Sequence, residues 1–106
     1  MNQPASVTNE HPAAHIVTVG IQVLPLTEDA YPIVDQAIAA IAATGITYQV
    51  CPLETVVEGT LDDCLAAARA AHQAVMASGV SRAVTYLKIS DGRDGSTIDD
   101  KLAKYR

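Results

Sequence analysis

From Ile16 to Leu24 the chain reads IVTVGIQVL, with Val17, Val19, Ile21 and Val23 at every second position. Thr18, Gly20, Gln22 and Leu24 fall between them. A period of two predicts a strand with one dry face and one mixed face. Pro25 ends it. In TEDAYPIVDQAIAAIAATG the period changes: Ile33, Ala37, Ile38 and Ile41 form one stripe at helical spacing. Pro32 fits the first turn of that helix, where its missing N–H costs nothing, and Gly45 is a helix stop. Ile46–Cys51 alternates again and predicts a second strand, with Ile46, Tyr48 and Val50 on one face. Pro52 separates it from a third strand in PLETVVEGTLDD, and the two form an antiparallel hairpin. Thr60 then caps a second helix, with Asp62 and Asp63 in its favourable first turn. Leu61, Cys64, Leu65, Ala68, His72 and Val75 make its expected buried stripe, and Gly79 stops it. Ser81–Ile89 predicts a fourth strand, and Ile98–Tyr105 a short terminal helix.

The order strand, helix, strand, strand, helix, strand predicts an α+β, ferredoxin-like βαββαβ sandwich. Both helices cover one face of a four-stranded antiparallel sheet, and the other face is open. Residues 1–14 are polar and aperiodic and are expected to form a flexible arm. Residues 15–91 form the domain, and 92–106 a tail.

Strand parity assigns side chains to the two faces. Thr18, Gly20, Gln22, Thr47, Gln49 and Cys51 belong to the open face, joined by Glu54, Val56, Glu58, Val84, Tyr86 and Lys88. Leu53, Thr55, Val57, Thr85, Leu87 and Ile89 belong to the helix side. The open face is too polar for a second core and too apolar to be simply wet, which suits an assembly interface or a ligand platform. Acids are unusual in strands unless they face water or bind something. Glu58 reads either as a strand-end carboxylate paired with Lys88 or solvated, or as an acid for a ligand amine or ring N–H. Glu54 reads as solvated or as an interface residue. Thr55 is either a satisfied core hydroxyl or a donor into a pocket between sheet and helices. His72 reads as a packed histidine bonded to backbone. Gln22 pairs in an interface or reads an amide-like ligand edge.

Composition narrows the function. The chain has 106 residues, 49% hydrophobic, with neither Phe nor Trp. Its core must therefore be built from small aliphatic groups, which gives a small domain a reason to oligomerise. A net charge of −5 argues against nucleic acid and against a polybasic membrane surface. No apolar run approaches the ~20 residues of a membrane span, and the start lacks the regions of a signal peptide, so a cytoplasmic location is expected. Cys51 and Cys64 have no metal or redox spacing and are expected as buried free thiols. His11 and His15 lack a third ligand nearby. No nucleophile elbow, phosphate-cradling glycine loop or acid–base pair appears, and no cofactor is implied. The loop PLTEDAYP is acidic, unlike the basic phosphate loop of ferredoxin-like acylphosphatases.

Four segments in order carry a family resemblance: IQVLPL, PLETVVEGTLDD, AAHQAVMASGVSRAVT and YLKISDGRD. They resemble the thiamine-binding family of small proteins, the YkoF-like or UPF0045 group, over residues 16–94. The most specific piece is Thr55-x-x-Glu58-Gly59, preceded by a proline and followed by a helix. The resemblance implies a ferredoxin-like subunit assembled as a homotetramer, a dimer of dimers. It also implies non-catalytic binding of thiamine or its hydroxymethylpyrimidine moiety, in salvage, transport or intracellular handling. Gln22, Thr55, Glu58 and Lys88 are the candidate ligand-binding residues; Glu58 suits the aminopyrimidine, with Thr55 and Gln22 on the ring edge. Two positions depart from the family pattern: Glu54, where a small residue is usual, and Ser90-Asp91-Gly92 after the last strand. The alternative is a structural or regulatory homo-oligomer whose sheet face serves assembly only.

Overall fold

A computed structural model of the chain describes residues 15–95 and 97–105. The arm expected over residues 1–14 lies outside the described residues. The elements follow in chain order: β1 Val17–Pro25, α1 Tyr31–Ala43, β2 Thr47–Val50, β3 Thr55–Gly59, α2 Leu61–Ala77 and β4 Ala83–Ser90. A short α3, Ile98–Leu102, runs into a 3-10 turn at Ala103–Tyr105. The sheet order is β2-β3-β1-β4, all antiparallel, with α1 and α2 packed together on one face. This is the α+β sandwich expected from the strand–helix order.

The central strand carries the core. Val17, Val19, Ile21 and Val23 are buried, as period two requires, and they meet Val57 of β3, Ala37 and Ile41 of α1, and Cys64, Ala67, Ala68, Ala71 and Val75 of α2. The small residues of α2 let the helix approach closely, so a core without Phe or Trp still excludes water.

The helix ends follow local chemistry. Pro32 lies in the first turn of α1. The Thr60 hydroxyl accepts from Asp63 N at 3.2 Å, satisfying an otherwise orphaned donor of α2. Gly45 (φ 81°) and Gly79 (φ 95°) take the left-handed conformation just past α1 and α2. Their amides return to Ala42 O and Met76 O.

The structure corrects several expectations. Leu53 does not turn inward; it is 78% exposed. The strand starts only at Thr55, after a turn closed by Cys51 N donating to Glu54 O at 2.8 Å. Leu61 and Leu65 are exposed, because α2 presents Ala67 and Ala71 to the sheet and puts the larger side chains at the margin. Tyr48 and Val50 on β2, and Leu87 and Ile89 on β4, point to the helix side by register yet remain exposed. Both are edge strands lying beyond the cover of two helices. His72 bonds a side chain rather than backbone: its Nδ1 lies 2.6 Å from the Thr85 hydroxyl. Cys64 is buried as expected, but Cys51 is only partly so.

Candidate functional site

Register decides what the open face offers. Gly20 of β1 lies between Val56 of β3 and Lys88 of β4, and Thr18 lies between Glu58 and Ser90. Glycine inside a strand marks a close approach. Here the visitor is Glu54: a Cβ on Gly20 would sit 2.3 Å from Glu54 Oε1. The carboxylate lies over the bare backbone and pairs with the Lys88 ammonium, at 3.1 Å to Oε1 and 3.3 Å to Oε2. Lys88 therefore pairs with Glu54, not with Glu58.

Glu58 has a different task. Its Oε1 accepts from Ile98 N at 2.8 Å, at the start of α3. The terminal segment thus returns over the open face. Between it and the sheet lies a cavity of about 380 Å³, lined by Thr18, Gly20, Glu54, Val56 and Lys88 below and by Ile98 and Leu102 of α3.

A second space opens on the helix side. It measures about 480 Å³ and runs between the latter half of β1, α1 and the β2–β3 turn. Ile21, Ala37 and Ile41 give it apolar walls, while Tyr31, Asp35 and Thr55 bring polar atoms; Gln22 borders it with its side chain turned to the open face by register. Thr55 is only 6% exposed, and among the described residues its hydroxyl makes no hydrogen bond. A buried hydroxyl left unpaired is costly, which marks it as a group that a ligand can satisfy.

The four residues singled out from the sequence are therefore divided. Gln22 and Thr55 line the α1 cleft; Lys88 lines the cavity under α3; Glu58 lines neither and caps α3. Sequence reasoning missed Tyr31 and Asp35, which reach the cleft only because α1 packs across β1. It also missed the Glu54–Gly20 contact, for which glycine amid valines was the available signal. Among the described residues no cluster of three or more His, Cys, Asp or Glu is placed to hold a metal ion.

Burial shapes the titration of one group here. Cys64, beneath β1 with its thiol 3.9 Å from Val17 O, has its pKa pushed up to about 11. Desolvation is the main cause, and the nearby charges of Asp63 and Glu58 add to it.

A sequence profile described as thiamine-binding protein matches residues 19–106. The chain belongs to the thiamine-binding protein family. A UPF0045 protein of Clostridium perfringens is 37% identical over 90 residues, covering 83% of this chain and 95% of the relative. Another, from Methanothermobacter thermautotrophicus, is 32% identical and covers 74% and 84%. Among solved structures, a domain of unknown function, DUF77, from Bacillus cereus superposes with a TM-score of 0.81 at 38% identity, covering 87% of this chain and 91% of that one. A Thermotoga maritima protein proposed for thiamine biosynthesis or salvage gives 0.77 at 33%, covering 86% and 99%. The family is named for binding rather than for a reaction, and its name points to a small-molecule partner in thiamine metabolism. Among the described residues no helix is long and apolar enough to cross a membrane.

Proposed function

We propose that this protein binds thiamine or its hydroxymethylpyrimidine moiety without catalysing a reaction on it, as part of salvage, transport or intracellular handling. The observation that carries the reading is the buried Thr55 hydroxyl, without a hydrogen bond among the described residues, in the α1 cleft of a thiamine-binding family member. The cleft volume lies within the range of small-molecule sites, and its mixture of apolar walls and few polar groups is typical of them. An aminopyrimidine offers ring nitrogens and an exocyclic amine. Thr55 donates to or accepts from the ring edge, and Asp35 provides the carboxylate for the amine; Gln22 borders the cleft, but register turns its side-chain amide to the open face. Glu58, the acid favoured by the sequence pattern, already accepts from Ile98 N and lies outside the cleft lining, so in this reading its role is to hold α3. Lys88 is likewise assigned to the opposite face.

We further propose that the chain assembles as a homo-oligomer, a dimer of dimers in a cytoplasmic setting. Leu24, Val84 and Tyr86 are exposed on the part of the open face that α3 leaves uncovered, which supports this reading. Light scattering after size exclusion reads the mass directly; a monomer at micromolar concentration overturns the assembly.

The test of binding is a thermal shift of the full chain against thiamine, its phosphates and hydroxymethylpyrimidine. A ligand that binds only the native state raises the melting temperature by mass action. A concentration-dependent rise with at least one of them is expected; no rise at millimolar concentration contradicts the reading and leaves a purely structural oligomer.

A further inference from the structure

The cavity under α3 lies across the sheet from the α1 cleft, shares only Cys51 and Glu54 with it, and has its own chemistry. Its surroundings are mainly apolar: Val56 from the sheet, Ile98 and Leu102 from α3. Set into this lining is one carboxylate, Glu54, whose side chain is only 23% exposed. Its counter-ion, Lys88, is 76% exposed and reaches both carboxylate oxygens with one ammonium. The two partners are thus unequal: the acid belongs to the cavity, and the base belongs to the solvent.

We propose that this cavity is a second small-molecule site, selective for an organic ammonium ion with a compact apolar body. The ligand's ammonium takes over the two Glu54 oxygens, and its body rests on Val56, Ile98 and Leu102. Lys88 swings into water, where its mostly exposed ammonium loses little hydration in the exchange. The native ion pair acts as an internal competitor, so affinity depends on how easily Lys88 is displaced. Gly20 is part of the design: without a Cβ it leaves space for the carboxylate to lie flat against the strand. A neutral ligand of the same shape cannot offer a charge-assisted bond, and an anion meets a carboxylate in a protein of net charge −5. The proposal stands independently of the thiamine reading: Cys51 and Glu54 also border the α1 cleft, but the Glu54 carboxylate lies against Gly20 on the opposite face of the sheet, and the thiamine reading gives neither residue a role.

The test titrates the full chain at low salt with benzylammonium, and with benzyl alcohol as its neutral counterpart, by calorimetry. Benzylammonium is expected to bind at least about tenfold more tightly than benzyl alcohol, a preference that added salt reduces. Glu54→Gln is expected to remove that preference. Lys88→Met is expected to tighten binding several-fold, because the competitor is gone. A merely structural ion pair would give no such gain. Thr55→Val, on the other face, is expected to leave benzylammonium binding unchanged. The proposal is overturned if wild type binds the two probes equally or not at all. It is also overturned if Glu54→Gln leaves the preference intact, if Lys88→Met fails to tighten binding, or if Thr55→Val abolishes it. Loss of thiamine binding in Thr55→Val with benzylammonium unaffected would separate the two sites; failure of thiamine to bind wild type would leave this result standing by itself.

Discussion

Replacing Gly20 by alanine tests whether the glycine exists for Glu54. In an ordinary strand, alanine is favoured over glycine by roughly 0.5–1 kcal/mol, because glycine loses more backbone freedom on folding. At Gly20 the new methyl carbon would lie 2.3 Å from Glu54 Oε1 and 2.9 Å from its Cδ, both impossible contacts. The obstacle is the end of a flexible side chain, so Glu54 moves rather than the strand. Moving it breaks the pair with Lys88, worth roughly 0.2–1 kcal/mol for a pair with an exposed partner. The gain and loss oppose each other, and Gly20→Ala alone is expected to fall between a loss of about 0.5 and a gain of about 0.8 kcal/mol. In a Glu54→Ala background the obstacle is absent, and the same substitution should stabilise by about 0.5–1 kcal/mol. A double-mutant cycle by urea unfolding should therefore show a coupling equal to the lost pair, roughly 0.2–1 kcal/mol, between the two positions. If Gly20→Ala has the same effect in both backgrounds, the carboxylate does not rest on Gly20 and the account of the open face fails.

The remaining predictions follow from burial, capping and titration. Ile41→Ala, at a side chain 1% exposed between the helices and the sheet, should cost about 2–5 kcal/mol in denaturant unfolding. Leu53→Ala, at a side chain 78% exposed, should stay within about 0.5 kcal/mol. Glu58→Ala removes the acceptor for Ile98 N and should speed amide exchange in α3 while leaving β1 protected; unchanged exchange in α3 would refute the cap. The Cys64 thiol holds its proton in the folded chain up to about pH 11, whereas an unfolded thiol loses it near 9. Above the lower value the unfolded state binds fewer protons, so stability should fall between about pH 9 and 11, and Cys64→Ala should show a shallower decline.

The parts of the fold set by neighbours in sequence were legible before any coordinates. Alternation through Val17, Val19, Ile21 and Val23 made β1; Pro32, Gly45, Thr60 and Gly79 bounded the helices by local backbone and capping chemistry. Parity also put Thr55 inside and Glu58 outside, as the register requires, and Glu54 outside, where its carboxylate lies against Gly20. What stayed hidden depends on residues far apart in the chain. The Glu54–Lys88 pair joins the turn before β3 to β4 across β1, and needs the turn and both registers at once. Glu58 looked available because nothing local announces that Ile98 returns 40 residues later to its carboxylate. Leu61 and Leu65 looked buried because hydrophobicity ranks them above alanine. Packing of α2 instead favoured the small faces of Ala67 and Ala71, and only the partner helix and sheet reveal that choice.

The central claim is that the α1 cleft, through Thr55, holds a pyrimidine of the thiamine type. Calorimetric titration of hydroxymethylpyrimidine and thiamine into wild type and Thr55→Val tests it most directly. The substitution keeps the shape and removes the buried hydroxyl that makes no hydrogen bond among the described residues. Wild type should bind at least one of the two ligands, and Thr55→Val should weaken that binding by about tenfold, as the loss of one buried hydrogen bond implies. Equal affinity in the two proteins, or no heat with either ligand in wild type, would contradict the account.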